Sequence, residues 1–172
     1  MPILARAPVR DASVLARRLK VLERFQPRGS LLVVSAGDAA FARAAARAGW
    51  RTACAGIAAG GALPPLRAGR WPGGSFDAVA LCGVLEEYAA EPDSLLRDTA
   101  HYCRLDGLLL VETWDGDHPG AVRAAPRLYA HRDLTMLLAR HGFRESRACR
   151  LPGPDGGPDD AVTLCVVARY CP

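Results

Sequence analysis

Three short apolar runs, each bounded by turn residues and separated by helix-forming stretches, constrain the fold of this chain more than any other feature. They are residues 31–34 (LLVV), 76–82 (FDAVALC) and 108–113 (LLLVET). Runs of this kind are typical of strands in a parallel sheet, because helices cover both faces of such a sheet. The sequence therefore predicts an α/β fold with a doubly wound, mostly parallel sheet.

Further helices and strands are predicted around these runs. Helical periodicity or composition predicts four helices, over residues 11–25, 39–49, 92–104 and 131–141. Three more strands are predicted over residues 52–55, 143–151 and 161–170. The last two are joined by PGPDGGPDD, whose turn-forming residues suit an antiparallel hairpin.

The connection between Gly56 and Phe76 is short for such a fold. It has 19 residues, of which five are Gly and three are Pro. A helix, a returning strand and two loops need roughly 25 residues. We therefore expect one helix or one edge strand to be shortened or missing between the second strand and residue 76.

Composition favours a single globular domain of 172 residues, with an N-terminal helical segment (1–28) and an α/β core (29–172). No apolar run approaches the roughly 18 residues of a membrane span, and the first ten residues lack a secretion signal. We therefore expect a cytoplasmic protein with no membrane partner. The net charge is +4 and the Arg residues are scattered, so a nucleic-acid partner is not expected.

The six cysteines do not have the spacing of a metal site. No two form a C-x-x-C pair, so neither a zinc site nor any other metal is expected. Cys54, Cys82 and Cys165 lie in apolar, strand-like runs, where cysteine is typically a small buried hydrophobic residue. A disulfide framework is not expected in a chain of this size without a secretion signal.

Three stretches together resemble a known family. Residues 31–49 have the order strand, glycine-containing turn, helix. Residues 75–115 continue with a strand, a VLEE segment, a helix, a leucine-and-glycine turn and another strand, and residues 131–143 form a helix that ends in Gly-Phe. In this order they resemble class I S-adenosylmethionine-dependent methyltransferases of the small-molecule type.

The resemblance implies a seven-stranded, mostly parallel sheet with an antiparallel C-terminal hairpin. It also implies that S-adenosylmethionine binds across the carboxyl ends of the first strands, the usual ligand position in such sheets. A glycine-rich turn there allows the backbone to approach the ligand and frees N–H donors. The cofactor-binding residues implied are Ser35, Ala36, Gly37, Gly56, Cys82 and Gly83.

The chain departs from the family pattern within that site. Of the three glycines usual in the first turn it keeps Gly37, with Ser35 and Ala39 at the other two positions. Gly56 stands where the family has an acidic residue that binds both ribose hydroxyls. Losing such a contact typically costs about 1.5–3 kcal/mol of binding free energy.

Two further carboxylate positions are affected. Arg67 and Arg70 lie where the family often has the acidic residue that holds the adenine amino group. Asp38 either replaces a lost carboxylate or caps the following helix. Both changes bear on whether the chain still binds the cofactor.

A catalytic base, where the family needs one, commonly follows its fourth or fifth strand. We take His118 as the candidate, because a neutral imidazole could accept a proton from a substrate hydroxyl; the alternative is an exposed loop histidine. Glu86 and Glu87 follow a predicted strand, but they also suit the start of a helix. The other candidates in these segments are Tyr88, Glu112, Asp115 and Asp117.

The remaining aromatic residue and histidines have ordinary interpretations beside functional ones. Trp114 either lines a substrate pocket or packs at a strand end. His131 is interpreted as a capping or surface residue, and His101 and His141 as surface residues near helix ends. The loop 114–130 is short for a substrate-covering lid, which favours a large or protein-borne substrate, a partner that completes the site, or no catalysis.

Two functions remain open. The first is a methyltransferase that acts on a small or carrier-bound substrate. The second is a non-catalytic methyltransferase-like subunit that binds a protein partner or a second copy of itself. A nicotinamide-binding protein is disfavoured, because neither G-x-G-x-x-G nor a ribose-binding acid follows the first strand. The family assignment requires that the turn 35–39 and Cys82 open onto a common crevice.

Overall fold

The structure is a computed structural model that describes residues 12–36, 39–57, 71–86, 92–118, 127–151 and 163–172. Four helices and six strands lie in these ranges. In chain order they are α1 (Ala12–Phe25), β1 (Ser30–Ala36), α2 (Ala40–Arg47), β2 (Arg51–Ile57), β3 (Phe76–Cys82), α3 (Pro92–Tyr102), β4 (Cys103–Trp114), α4 (His131–Arg140), β5 (Phe143–Leu151) and β6 (Thr163–Tyr170).

The six strands form one sheet in the order β2-β1-β3-β4-β6-β5. The first four strands in this order pair in parallel, whereas β6 is antiparallel to both β4 and β5. The predicted doubly wound, mostly parallel sheet with an antiparallel C-terminal hairpin is confirmed. The described ranges hold six of the seven strands that the resemblance implies. Most of the connection predicted to be shortened, residues 58–70, lies outside them.

Helices cover both faces of the sheet. Because successive strand residues point to opposite faces, a strand between two helical layers must be apolar at every position, which explains the continuous apolar runs. The face under α3 and α4 carries Leu32, Val34, Val79, Leu81, Leu109 and Val111. The face under α1 and α2 carries Leu31, Val33, Ala78, Ala80, Leu108 and Leu110. None of the four described helices has the length and apolar character of a membrane span.

Strand β4 begins earlier than the sequence predicts. The predicted helix 92–104 ends at Tyr102, and β4 starts at Cys103. The Asp106–Gly107 turn lies inside the strand, where the register with β3 is irregular and Asp106 has a φ of 58°. A Cβ on Gly107 would lie 2.7 Å from the Arg104 carbonyl oxygen. The turn residues therefore bend the start of the strand instead of separating a helix from it.

The Asp77 carboxylate joins the beginnings of three strands. Its Oδ2 accepts a hydrogen bond from the Ser30 backbone N–H at 2.7 Å, and its Oδ1 lies 2.5 Å from Arg104 Nη1. Burial alone would raise the pKa of Asp77, but the hydrogen bonds from Ser30 and the charges of Arg104 and Arg51 outweigh burial and lower it. A Cβ on Gly29 would collide with this carboxylate, so glycine permits the close approach.

Replacing Asp77 should therefore destabilise the sheet. Asp77→Ala would leave the Ser30 N–H without its acceptor, and we expect a loss of about 1–3 kcal/mol in the free energy of unfolding, measured with urea at pH 7. Asp77→Asn keeps an acceptor and should lose less.

The pH dependence of the unfolding free energy tests this role of the Asp77 charge. Because the folded-state pKa of Asp77 is lowered, its charge stabilises the fold above the unfolded pKa of about 4, and this contribution is lost as the pH falls through the folded pKa. The unfolding free energies of the wild type and Asp77→Asn should therefore converge below about pH 4. A difference that is independent of pH would contradict this role for the charge.

Candidate functional site

One residue from each strand contributes to a continuous row near the carboxyl ends of the parallel strands. Each member is the register partner of the next, so their side chains point to the same face of the sheet, the one under α1 and α2. We call this set the cross-strand row. From β2 to β5 its members are Gly56, Ser35, Cys82, Glu112, Cys165 and Cys149.

The row crosses the point where the strand order reverses. The chain passes from β1 to β2 on one side of β1 and later returns to β3 on the other side. In open α/β sheets, ligands bind in the crevice beyond the strand ends at such a point. Ser35 and Cys82 are direct register partners there, and each is 8% exposed. The structure thus brings the end of β1 beside the end of β3.

The residues at this point are small. Gly56 pairs with Ser35 on one side and Cys82 pairs with it on the other, so no side chain larger than a thiol projects from the three positions. Gly83, which follows β3, is buried with a φ of 64°, and its N–H donates to the Glu112 carbonyl at 2.9 Å. These strand ends can therefore accommodate a ligand close to the backbone.

Part of the predicted turn lies outside the described ranges. Ala36 pairs with Ile57 at the last position of β1, whereas Gly37 and Asp38 are not among the described residues. Helix α2 has Ala39 as its N-cap residue, with no side-chain hydrogen bond to the helix N-terminus. The capping interpretation of Asp38 therefore stays a prediction, as do the positions of Arg67 and Arg70.

A buried ion pair occupies the middle of the row. Arg18 of α1 is 6% exposed and Glu112 is 2% exposed, and Arg18 Nε donates to Glu112 Oε2 at 2.5 Å. The guanidinium also lies 5.6 Å from the centre of the Phe41 ring. Burial would lower the pKa of Arg18, but the electrostatic interactions with Cys82 and Glu112 and the hydrogen bond to Glu112 outweigh it and raise that pKa. Glu112, a candidate base in the sequence, is thus held in an ion pair.

Sequence reasoning missed Arg18. It occupies the buried stripe of α1 between Val14 and Leu22, where the apolar periodicity indicates hydrophobic packing. An arginine in such a stripe could have indicated a buried ion pair, because a buried charge requires a partner. Its partner could not be identified, since Glu112 is 94 positions away in the sequence.

Glu86 lies on the opposite face of the sheet. It is 1% exposed, and its Oε2 accepts a hydrogen bond from Thr113 Oγ1 at 2.7 Å. The described part of α3 starts at Pro92, so the interpretation of Glu86 and Glu87 as a helix-start carboxylate pair stays a prediction. Its neighbours Glu87 and Tyr88 lie outside the part of the chain that the structure describes.

The segment after β4 is held by two carboxylates. Asp115 is fully buried, forms an ion pair with Arg150 and accepts the Asp117 N–H at 3.0 Å. Asp117 Oδ2 accepts the backbone N–H of His131, the first residue of α4, at 3.1 Å. These two candidate bases therefore have structural partners. Asp117 supplies the helix with the side-chain contact that its N-cap residue Ala130 lacks.

His118 is half-buried at the end of this segment. Its backbone N–H donates a hydrogen bond to the Asp115 carbonyl oxygen, with an N···O distance of 3.2 Å. Trp114, at the end of β4, is also half-buried. Both residues lie at the same edge of the sheet as the cross-strand row.

The other histidines have structural contacts. His131 Nε2 lies 2.9 Å from Glu145 Oε2, so the ring pairs across to β5 and is not a free surface group. His141 Nε2 lies 2.8 Å from Asp93 Oδ1 and its side chain is 13% exposed, so its interpretation as a surface residue is wrong. His101 is exposed and packs edge-on against Tyr102.

Comparison with known proteins identifies solved structures that have the same fold as this chain. No protein-family model matches the sequence, and no curated protein matches it. Among solved structures, an S-adenosylmethionine-dependent methyltransferase from Archaeoglobus fulgidus superimposes with a TM-score of 0.66 at 11% identity, over 91% of this chain and 93% of that chain.

Two further solved structures of this fold contain a bound ligand or a bound protein. The 1,6-didemethyltoxoflavin-N1-methyltransferase of Burkholderia thailandensis, solved with bound 1,6-didemethyltoxoflavin and S-adenosylhomocysteine, has a TM-score of 0.59 at 18% identity, over 93% of this chain and 76% of that chain. A Haloferax volcanii methyltransferase in complex with the activator Trm112 has a TM-score of 0.62 at 12% identity, over 91% and 95% of the two chains. At these identities the similarity establishes the fold.

The buried ion pair gives a stability prediction. Arg18→Met would leave Glu112 buried without a cation, and we expect a loss of about 3–5 kcal/mol in the free energy of unfolding. The double variant Arg18→Met/Glu112→Leu should regain most of this loss, because it removes both charges.

Urea titration of the variants tests both expectations. The matched control is Arg28→Met, which removes one partner of the exposed pair between Arg28 and Glu23 and should leave stability almost unchanged. If Arg18→Met were no more destabilising than Arg28→Met, the pair would not hold α1 on the sheet.

Proposed function

We propose that this chain, which has the fold of the class I S-adenosylmethionine-dependent methyltransferases, binds S-adenosylmethionine at the carboxyl ends of β1 and β3 and methylates a small or carrier-bound substrate. The observation that carries the proposal is the direct pairing of Ser35 with Cys82 at the reversal of strand order. Ligands of open α/β sheets bind at that point.

The donors and the space at these strand ends fit the cofactor. Ser35 supplies a hydroxyl group, and the small positions Gly56, Cys82 and Gly83 allow a ligand to approach the backbone. We add Ala36 and Gly37, which continue the chain from β1, to the proposed binding set. The set contains no carboxylate at position 56, so we expect weaker binding than in family members that have one.

The chemistry then requires little from the protein. When bound, S-adenosylmethionine supplies a methyl group on a sulfonium that is a good leaving group. The contribution of this chain is to hold the acceptor atom in line with that methyl group. We propose His118 as the base that takes the acceptor's proton, since it follows β4 at the same edge of the sheet and ordinary imidazole titrates near neutral pH. Glu112 is excluded from that role by its ion pair with Arg18.

Calorimetric titration with S-adenosylhomocysteine tests the binding site. The wild type should give saturable heat below millimolar ligand. Ser35→Leu, which fills the space at the end of β1, should weaken binding tenfold or more, equivalent to about 1.4 kcal/mol.

The matched control is Val33→Leu. It enlarges a side chain on the same face of the same strand, two residues before Ser35, and should leave the affinity close to that of the wild type. An absence of heat with the folded wild-type chain at millimolar ligand would overturn the proposal, and so would equal binding by Ser35→Leu.

A variant that is expected to bind S-adenosylhomocysteine more tightly also tests this site. Gly56→Asp would restore a carboxylate at the end of β2, opposite Ser35, and should tighten binding of S-adenosylhomocysteine tenfold to a hundredfold, or about 1.5–3 kcal/mol. Gly56→Asn has the same size without the charge and should gain much less. Equal affinities for the two variants would show that no ribose hydroxyls lie near position 56.

The second candidate is a methyltransferase-like subunit whose site is completed by a protein partner. The half-burial of β2 favours it: residues 52–55 are only partly buried, whereas residues 31–34 of the adjacent β1 are fully buried. A protein of the same fold also occurs in complex with an activator. Light scattering with and without S-adenosylhomocysteine separates the candidates. A monomer that binds the ligand supports the first, and a self-associating chain that does not bind it supports the second.

A further inference from the structure

Two cysteines face each other at the β5 end of the cross-strand row. Cys149 of β5 and Cys165 of β6 are direct register partners on antiparallel strands. Directly opposed residues in such a pair have Cα atoms about 4.5–5.5 Å apart, within the range of about 4.4–6.8 Å that a disulfide spans. Both cysteines are free thiols.

We propose that Cys149 and Cys165 form a redox-active thiol pair, which closes to a cross-strand disulfide when a hydroperoxide oxidises it and reopens with a dithiol reductant. This inference is independent of cofactor binding, because it rests on the hairpin at the other end of the row from Ser35.

The two thiols differ in access and surroundings. Cys149 is half-buried on β5, which lies at one end of the strand order, whereas Cys165 is 2% exposed between β4 and β5. Arg147 and Arg17 favour a thiolate at Cys149. Glu112 disfavours a thiolate at both sulfurs and is the register partner of Cys165. A nucleophilic thiolate is therefore favoured at Cys149, and a protonated thiol at Cys165.

The acidities of the two groups agree with this assignment. The hydrogen bond from Cys165 lowers the pKa of Cys149 to about 6, against the opposing effect of burial. The same hydrogen bond, followed by burial, raises the pKa of Cys165 well above its usual range. Cys149 is thus the more acidic thiol of the pair, in agreement with its greater access to solvent.

The chemical steps follow from these roles. The Cys149 thiolate attacks one oxygen of the hydroperoxide, the O–O bond breaks, and Cys149 becomes a sulfenic acid as hydroxide or alkoxide leaves. The Cys165 sulfur then attacks the Cys149 sulfur, and its proton goes to the departing hydroxide to form water. Two thiols are oxidised to one disulfide while one peroxide is reduced, so electrons and atoms balance.

The other four cysteines lack such a partner in the sheet register. Cys54 is paired with Val33, Cys103 with Phe76, and Cys82 lies between Ser35 and Glu112. Burial raises the pKa of Cys103 to about 12, which makes it a poor nucleophile. The Cys171 sulfur is 3.7 Å from Asp106 Oδ1, away from the row.

Cys54, half-buried like Cys149, is the matched control.

The test is to treat the full chain with hydrogen peroxide, denature it, alkylate the remaining thiols and map the peptides by mass spectrometry. We expect the loss of two of the six thiols, a linked peptide pair containing Cys149 and Cys165, and recovery of both thiols with dithiothreitol. Cys149→Ser and Cys165→Ser should abolish the link, and Cys54→Ser should leave it unchanged. In Cys165→Ser, dimedone should trap a sulfenic acid on Cys149.

A measurement on the wild type keeps the test decisive if a variant does not fold. Brief exposure to iodoacetamide at pH 7 should modify Cys149 before any of the other five cysteines. The proposal is overturned if peroxide leaves the thiol count unchanged, if the disulfide joins other cysteines, or if Cys149 is not the first site alkylated.

Discussion

The parallel pairing of β1 with β2 on one side and with β3 on the other is the constraint on which the rest of the structure depends. It brings Gly56, Ser35 and Cys82 side by side from separate parts of the sequence. Because β2 and β3 lie on opposite sides of β1, the strand order reverses there, which is the position at which open α/β sheets generally bind ligands. The same register, continued through β4 and β6, extends the row to Cys149.

The chemistry of this row changes along its length because different elements cover it. At the reversal of strand order the residues are small. In the middle, α1 reaches the row with Arg18, and the buried Glu112 requires that cation because an unpaired carboxylate there would be strongly destabilising. At the β5 end, Cys149 is half-buried while Cys165 is buried. The cross-strand row thereby contains a proposed ligand site, a structural ion pair and a proposed thiol pair.

Much of the fold could be predicted from local pattern. The central strands were recognisable because burial on both faces requires continuous apolar runs, and the helices because their apolar residues recur with helical spacing. The candidate site was predicted only in part. The strand-end positions Ser35 and Cys82 lie together, whereas the side-chain contacts of Glu86 and His141 were not predicted. Their partners, Thr113 and Asp93, come from distant segments that no local pattern identifies.

By itself, the sequence determined the α/β class, the order of the helices and strands and the C-terminal hairpin, because these depend on hydrophobic periodicity and turn residues that act over a few positions. Only the tertiary structure decided which residues share the cross-strand row, that Arg18 neutralises Glu112, and that Cys149 faces Cys165. These contacts depend on strand register and helix placement, and a shift of one residue in register would turn each side chain to the opposite face of the sheet.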